Sequence, residues 1–149
     1  MKQYFKLIPA AYVFLIKDGK ILLLQRANTG YEDGNWSVPA GHLEGDESAT
    51  TAMVRETKEE IGLNILQTDL DFAYVLHRKG EQPKGKEGER VDFYFLLKNW
   101  KGEPQNMEPD KCSALTWFSL DALPENIIPC VKQALTGYLK GEAYGEEGW

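Results

Sequence analysis

Apolar residues occur along the chain in short runs, separated by charged or glycine-containing segments. Six of these runs are rich in β-branched, aromatic and aliphatic residues, which predicts a strand at each of residues 8–16, 21–25, 36–40, 70–77, 90–97 and 114–120. Asp18-Gly19 lies between the first two runs and predicts a hairpin turn. The uninterrupted apolar run at 21–25 indicates a strand that is buried on both faces.

Two further segments have the features of helices. Residues 48–61 contain no Gly or Pro, Asp46 or Ser48 can cap their start, and Gly62 stands where helices commonly end. Residues 127–139 place apolar side chains at roughly helical spacing. Since helices and strands are interleaved and a hairpin needs an antiparallel pair, the predicted fold class is α/β, with helices covering a mixed sheet.

Two segments are rich in glycine and charged residues. Residues 79–89 lack apolar anchors and are expected to form a mobile hairpin tip, although their lysines could instead meet phosphates. Residues 141–149 are expected to be a frayed tail. The length of 149 residues predicts a single domain over 1–149, and no internal repeat is visible.

Composition excludes some classes of partner. A net charge of −6 disfavours binding to a nucleic-acid polymer, so an anionic small molecule would need a local cation or metal. The apolar run at 10–16 is too short to span a membrane, and no secretory pattern precedes it. Cys112 and Cys130 lie in unrelated contexts and indicate buried thiols in a reducing cytoplasm rather than a disulfide.

Three acidic residues give the helix at 48–61 its chemical character. Glu56, Glu59 and Glu60 follow i, i+3, i+4 spacing and therefore share one face. Each like-charge pair costs roughly 0.2–0.5 kcal/mol even when exposed, and partial burial costs more unless a cation neutralises the charges. A hard divalent cation with oxygen ligands explains the cluster; an acidic, solvent-facing helix that binds nothing is the alternative. Arg55 lies one turn before Glu59 and can orient it, and Glu47 is expected to pair with Arg55.

The spacing of the polar and glycine positions across 41–63 resembles the Nudix box of the Nudix (MutT-like) hydrolases. The matching residues are Gly41, Glu47, Arg55, Glu56, Glu59, Glu60, Gly62 and Leu63. Thr57 departs from the pattern, because the family usually has an aliphatic residue there, and it should affect packing more than chemistry. The resemblance covers nearly the whole chain in element order and implies an α/β/α sandwich.

The resemblance also implies an activity. Family members hydrolyse a nucleoside diphosphate linked to another group, with Mg²⁺ or in some cases Mn²⁺. Transferred to this chain, the metal ligands would be Glu56, Glu59, Glu60 and the Gly41 carbonyl, with Glu59 the first choice for a general base and Arg55 beside it. No subfamily mark is found, which leaves by default a (deoxy)nucleoside triphosphate, ordinary or oxidised such as 8-oxo-dGTP, cut to the monophosphate and pyrophosphate.

Three more residues are assigned with an open alternative. Glu108 lies in a loop similar to the MutT loop that contributes to the metal site, so it is either a catalytic group or a surface acid. Arg26 is a phosphate contact or half of a surface ion pair. Asn126 resembles the position of a purine-reading asparagine, or it caps the helix at 127–139. Three aromatic residues could stack on a base or belong to the core: Tyr31, Trp36 and Phe72.

Two other functions compete with hydrolysis. A regulatory module of the same fold could bind a nucleotide without cutting it, although such proteins usually lose acids from the box. An isoprenoid diphosphate isomerase needs a catalytic cysteine, for which neither Cys112 nor Cys130 has a convincing context. The expected partner is a small nucleotide rather than a nucleic-acid polymer or a membrane, and a homodimer is left open.

Overall fold

The computed structural model describes residues 1–80 and 88–149 of the chain. Most of the predicted hairpin tip at 79–89 therefore lies outside the described residues. Two α-helices and eight strands follow one another in this order: β1 (Ile8–Lys17), β2 (Lys20–Arg26), β3 (Trp36–Ser37), β4 (Ala40–His42), α1 (Ala49–Ile61), β5 (Leu70–Arg78), β6 (Arg90–Leu97), β7 (Cys112–Ser119), α2 (Pro129–Leu139) and β8 (Tyr144–Glu147). None of the helices among the described residues is long and apolar enough to cross a membrane.

The strands form one mixed sheet. Its order is β3-β2-β1-β6-β5-β8, with β4 added to β1 and β7 added to β2. The β1–β6 and β5–β8 pairs are parallel, and the other pairs are antiparallel. One edge of β1 is shared, because β4 pairs with it at Ala10–Tyr12 and β2 pairs with it at Ile16 and Lys17. The mixed sheet was predicted from the sequence.

The two helices cover opposite faces of this sheet. Alternate residues of a strand point to opposite faces, and in β1 they belong to two different buried clusters. Ala10, Tyr12 and Phe14 pack with buried residues of α2, whereas Ala11, Val13 and Leu15 pack with Ala52, Met53 and Ile61 of α1. The four apolar residues of β2, Ile21 to Leu24, are buried as predicted. The result is the expected α/β/α sandwich.

Helix α1 begins and ends as the sequence predicted. Ser48 is the N-cap, and its Oγ accepts a hydrogen bond from the Thr51 backbone N–H at 3.2 Å. Gly62 ends the helix with a left-handed φ of 73°, a conformation that glycine adopts without the steric cost of a Cβ. Two C-terminal carbonyls of the helix are satisfied by a later loop, since Met107 N–H donates to Glu60 O and Gln105 N–H donates to Ile61 O.

Helix α2 begins two residues later than predicted, at Pro129. Residues 126–128 run alongside β3 instead, because Trp36 N–H donates to Asn126 O and Ile128 N–H donates to Trp36 O. Asn126 therefore does not cap the helix, and the capping alternative is wrong. Its side-chain amide donates to the Gly34 carbonyl at 2.9 Å.

The strand predicted at 36–40 is divided in two. β3 pairs with β2, whereas β4 pairs with β1, and Val38 and Pro39 lie between them. Gly41 consequently lies in the middle of β4, opposite Ala11, rather than in a turn. This placement brings the Gly41 backbone over the start of the α1 acid cluster.

The C-terminal segment is ordered, so the expectation of a frayed tail is wrong. Residues 144–147 form β8 and pair with β5, with Tyr144 opposite Val75. Gly145 makes this possible, because a Cβ at that position would overlap the hydroxyl group of Tyr74. Trp149 adds a further anchor: its indole N–H donates to the His77 carbonyl at 3.2 Å, and the two rings lie 4.8 Å apart.

Candidate functional site

A cavity of about 610 Å³ opens where α1, β4 and the loop at 26–34 meet the face of β1 that carries Ala10 and Tyr12. That volume lies in the range of small-molecule sites. Four acidic side chains line one part of its wall, namely Glu56, Glu59, Glu60 and Glu108. The helix thus brings its three clustered acids to the cavity, and the loop after Trp100 adds the fourth.

Glu60 is the most perturbed of these acids. Burial raises its pKa well above the ordinary value of a glutamate, and the negative charges of Glu56 and Glu108 raise it further. The Ala40 backbone N–H, 3.4 Å from Glu60 Oε2, opposes that shift. Burial also raises the pKa of Glu56, whose hydrogen bond to Arg55 acts in the opposite direction. The fold therefore places these carboxyl groups where their charged forms are unfavourable in the absence of a cation.

Arg55 organises the acids from the other side. Its Nη2 donates to Glu47 Oε1 at 2.7 Å, and its Nη1 donates to Glu56 Oε1 at 2.7 Å. The Arg55–Glu47 pair was predicted, and it lowers the pKa of Glu47 and raises that of Arg55. Glu59, the partner expected for Arg55, is more distant, with its Oε2 3.5 Å from Nη1. The guanidinium therefore orients chiefly Glu56.

A second nitrogen contact fixes the guanidinium against β4. Arg55 Nη2 donates to the His42 carbonyl at 3.2 Å, next to Gly41 in the chain. A Cβ at Gly41 would overlap the carboxyl group of Glu56. Glycine is thus needed at this position for the backbone and the carboxylate to come together. The Gly41 peptide group and the Glu56 carboxylate therefore lie side by side, and each has an oxygen atom that could bind a cation.

The donor atoms fit a hard divalent cation. Carboxylate and backbone carbonyl oxygens are the ligands that Mg²⁺ and Mn²⁺ favour, and the elevated pKa of Glu60 reflects charge that such an ion would neutralise. In residues 1–80 and 88–149, no three acidic, histidine or cysteine side chains are already arranged as a metal-binding group. Glu56 Oε1 is instead bound to Arg55, so metal binding would require the glutamate side chains to reorient.

Glu59 and Glu108 are the more accessible acids of the site. The Glu59 side chain is 53% exposed, compared with 13% for Glu56, and it lines the cavity. Glu108 is 35% exposed and lies 3.8 Å from Lys111 Nζ. Its backbone is fixed by Asn106, whose Oδ1 accepts from Glu108 N–H at 3.1 Å. Both carboxylates can reach solvent within the cavity, which a group that handles water requires.

The loop at 26–34 provides the opposite rim. Arg26 lines the cavity, and its Nε donates to the Tyr31 carbonyl at 2.8 Å. Its guanidinium lies 5.3 Å from the centre of the Tyr31 ring, which also lines the cavity. Arg26 is therefore at the site but is partly engaged in holding its own loop.

The structure places the remaining sequence candidates outside the cavity wall. Asn126 holds the loop through Gly34, as described above, and is not among the lining residues. Trp36 packs edge-on against Phe118 at 4.8 Å and belongs to the core. Phe72 is 55% exposed on β5. Of the three aromatic residues considered for base stacking, only Tyr31 lines the cavity.

Sequence reasoning missed a second group of cavity residues. Arg78 and Arg90 line the cavity, and both approach the buried Asp92. The arginines lie at the facing ends of β5 and β6, a pairing that no local pattern reveals. A signal was present in Asp92, which is an acid inside the otherwise apolar run at 91–97.

Comparison with known proteins gives a consistent picture. Residues 6–135 match the family model described as the NUDIX domain. The 8-oxo-dGTP diphosphatase of Proteus vulgaris is 37% identical over 98 residues, which cover 66% of this chain and 81% of that protein. The CTP pyrophosphohydrolase of Escherichia coli (strain K12) is 41% identical over 58 residues, or 39% of this chain, and the matched segment spans 43% of that protein's length.

The fold has a close structural counterpart. The crystal structure of a MutT NUDIX hydrolase from Burkholderia pseudomallei superposes with a TM-score of 0.78 at 29% sequence identity, covering 89% of this chain and 98% of that one. The similarity thus extends over most of both chains.

Proposed function

The chain belongs to the Nudix hydrolase family, and from this premise we propose that it cleaves the diphosphate linkage of a nucleoside triphosphate in a Mg²⁺-dependent reaction. The products would be the nucleoside monophosphate and pyrophosphate. The substrate class includes ordinary and oxidised (deoxy)nucleotides, such as 8-oxo-dGTP, and the names of the Proteus and Escherichia relatives support it. The observation that carries the proposal is the close approach of Gly41 to Glu56 beside the partly buried Glu60.

The acid end of the cavity would hold the cation. Glu56, Glu59 and Glu60 would supply carboxylate oxygens, and Gly41 would supply its carbonyl oxygen. Mg²⁺, or Mn²⁺ in its place, supplies the positive charge that a diphosphate needs before water can attack it. Arg55 keeps the Glu56 carboxylate in place through its 2.7 Å hydrogen bond. This bond leaves Glu59 the freest of the three to meet solvent.

A general base must take a proton from the attacking water. Glu59 is the first candidate because its side chain is half exposed within the cavity and belongs to the same helix face as the partly buried Glu56 and Glu60. Glu108 is the second candidate, since it faces the same cavity from a different loop and its charge acts on Glu60. On the opposite rim, Arg26 is placed to contact a phosphate with those guanidinium N–H groups that its loop does not use.

The proposal is tested by a panel of nucleotides. Ribo- and deoxyribonucleoside triphosphates and 8-oxo-dGTP are incubated with the protein and Mg²⁺, and products are identified by mass spectrometry in ¹⁸O-labelled water. The expected result is a labelled monophosphate or labelled pyrophosphate from at least one substrate, abolished by EDTA and restored by Mg²⁺ or Mn²⁺. Tight binding of a nucleotide without any product would instead identify a binding module. We include a cytoplasmic location in the proposal, which the free thiols Cys112 and Cys130 support.

A further inference from the structure

The part of the cavity formed by β5 and β6 is built around a buried ion pair. Arg78 Nε lies 2.6 Å from Asp92 Oδ2, and Arg90 Nε lies 3.9 Å from Asp92 Oδ1. Asp92 is fully buried, and Arg78 is 5% exposed. Both arginines line the cavity wall, whereas Asp92 is not one of the lining residues. Arg78 and Arg90 therefore lie between the cavity and the buried Asp92, which is their counter-ion.

This cluster is well separated from the acids. The strands β4, β1, β6 and β5 lie side by side, and a single row of paired residues crosses them: His42, Ala10, Asp92 and Leu76. Neighbouring strands are about 4.8 Å apart, so three spacings make about 14 Å between β4 and β5. Gly41 is on β4 and Arg78 is on β5. That separation suits the two ends of one nucleotide, with the phosphates at the acids and the base at the arginines.

The floor between the two ends has room for a flat group. Ala10 and Ala40 line this floor, and each contributes only a methyl group. Tyr12 lines the adjacent part of the cavity wall. The Tyr12 ring is supported by the Tyr94 ring at 4.4 Å. Helix α2 contributes Cys130 to the same cavity. A planar ligand can therefore extend from β4 to the arginines without meeting a large side chain on the floor.

The polar atoms of the cluster are incompletely satisfied. Among the described residues, Arg78 Nε, Arg90 Nε and both oxygens of Asp92 are buried without a well-aligned hydrogen bond. Buried groups of this kind usually have a partner, in the protein or in a ligand or solvent molecule. Arg90 is additionally held by His42, with 3.0 Å between Arg90 Nη2 and His42 Nε2. Arg90 thus has a second side-chain contact at the cavity wall, whereas the second contact of Arg78, with Glu147 Oε2 at 4.0 Å, is to a residue outside the lining.

The charge balance indicates what Arg78 can recognise. Asp92 and Glu147 place two carboxylates near Arg78 Nε, at 2.6 and 4.0 Å, which disfavours a second phosphate as the ligand. The arginine guanidinium has only hydrogen-bond donors. Its planar N–H groups can donate to two adjacent acceptor atoms at once. Guanine presents such a pair at O6 and N7, and cytosine presents one at O2 and N3. Adenine has its N6 amino group beside N1 on the Watson–Crick edge and beside N7 on the Hoogsteen edge. An arginine, which only donates, would leave that amino group unpaired.

We infer that Arg78, held by Asp92, is the specificity-determining residue of this enzyme and selects a nucleobase with two adjacent acceptors, namely guanine or cytosine. The inference rests on the proposed function, because phosphates bound at the acid end set the direction of the substrate in the cavity. Oxidation of guanine to 8-oxoguanine places a hydrogen on N7, which then no longer accepts a hydrogen bond. Arg78 should therefore bind guanine more tightly than 8-oxoguanine.

Single-atom changes in the substrate test this without altering the protein. The kcat/KM of the wild type is compared for GTP and 7-deaza-GTP, and for CTP and 3-deaza-CTP. A bidentate arginine contact discriminates by about tenfold or more, so we expect that drop in at least one pair. The pair that shows it identifies the base. Equal kcat/KM within both pairs overturns the inference.

A paired substitution tests the residue itself. Arg78→Met alone would remove the nearer partner of the buried Asp92 and leave only Arg90, at 3.9 Å, so Arg78→Met is combined with Asp92→Leu. In this double variant we expect the ratio between the natural and deaza substrates to fall to about one. The matched control is Lys98→Met with Asp71→Leu, an exposed pair 3.8 Å apart that leaves the cavity untouched. A ratio that survives in the cavity variant overturns the assignment.

Binding measurements separate this inference from the proposed function. Calorimetry in the presence of Mg²⁺ compares GMP with 7-deaza-GMP, and CMP with 3-deaza-CMP. A monophosphate has no diphosphate linkage to cut, so the measurement gives an answer even if no triphosphate is hydrolysed. The same preference in affinity is expected, and equal affinities overturn the inference. Guanosine 3′,5′-bisphosphate serves as the anion probe: affinity gained over GMP and lost in the Arg78→Met/Asp92→Leu variant would show that Arg78 binds a phosphate instead.

Discussion

Gly41 and Glu56 are in such close contact that a Cβ on residue 41 would overlap the Glu56 carboxyl group. Gly41 is the middle residue of β4, and Glu56 belongs to the face of α1 that carries the acids. The same carboxyl group is held by Arg55 at 2.7 Å. The position of the Glu56 carboxyl group therefore depends on the lack of a side chain at Gly41 and on the hydrogen bond from Arg55.

Gly41→Ala should separate activity from stability. The added methyl group displaces the end of a flexible side chain rather than backbone, so the fold should be retained while the Glu56 carboxylate moves. Misplacement of a site group by about 1 Å can cost on the order of 100-fold in rate, and we expect a loss of that size in kcat/KM with an unchanged circular dichroism spectrum. Gly45→Ala is the matched control, because a Cβ there meets nothing within 4 Å. Similar activities for the two variants would contradict this account.

Glu59→Gln tests the proposed base. The amide keeps the size of the side chain but cannot accept a proton from water, so kcat should fall by at least ~100-fold, the scale of a lost general base. Thermal unfolding should change little because the side chain is 53% exposed. Glu103→Gln, an exposed acid in the loop that leads to Glu108, is the control. Near-normal turnover of Glu59→Gln would transfer the role of base to another group, with Glu108→Gln as the next variant to measure.

The raised pKa of Glu60 predicts that metal binding releases protons. Burial favours its neutral form in the folded protein, whereas a metal ligand must be deprotonated. Mg²⁺ affinity should therefore increase with pH from the ordinary glutamate range up to the raised pKa and then level off. Calorimetry in two buffers of different ionisation enthalpy measures the protons released. Proton release that is unchanged in Glu60→Gln would contradict the assignment.

The same shift has a consequence for the metal-free protein. Since folded Glu60 binds its proton more tightly than the unfolded chain does, its contribution to the free energy of unfolding is largest at low pH and decreases as the pH rises through the same window. Saturating Mg²⁺ should reverse this slope, because the ion stabilises the charged form. Thermal denaturation as a function of pH, with and without Mg²⁺, provides the comparison.

Thr57→Val should stabilise the protein. Thr57 is fully buried in α1, and its hydroxyl oxygen has no hydrogen-bond partner among the described residues. A buried polar group without a partner costs about 1–3 kcal/mol, and valine has a similar shape and helix propensity. We expect a gain of about 1 kcal/mol in the free energy of unfolding, measured in urea. Thr136→Val, at an exposed position of α2, is the control and should change stability by less than about 0.5 kcal/mol. A loss of stability at position 57 would show that the hydroxyl has a partner after all.

Local patterns were sufficient for much of the fold. The caps of α1 are set by Ser48 and Gly62, which act within one turn of the chain, so both ends could be predicted. The strands at 90–97 and 21–25 were equally clear, because their apolar runs are bounded by polar residues. The conformation of a residue such as Gly41 was harder to predict, because its role in a strand depends on a partner, Ala11, far away in sequence.

The parts that could not be predicted depend on contacts between distant segments. The strand at 144–147 has a composition typical of a loop, and it is ordered because β5 offers an edge and Gly145 fits over Tyr74. The acids of the candidate site were found because they lie on a single helix. Arg78 and Asp92 were missed because they meet only when β5 and β6 pair. Sequence reasoning thus identified the part of the cavity that one element builds, and missed the part that two strands share.

The pairing of β8 with β5 also bears on how the protein is made. While the chain is being synthesised, β5 can pair with β6 long before residues 144–147 exist, and until then its outer edge offers unpaired peptide groups to any neighbouring chain. A ribosome that stalls or terminates before Tyr144 would release a molecule that carries the acid cluster and yet has this edge open. Such fragments should associate through β5, so the synthesis of residues 144–147 is the step that closes this edge against aggregation.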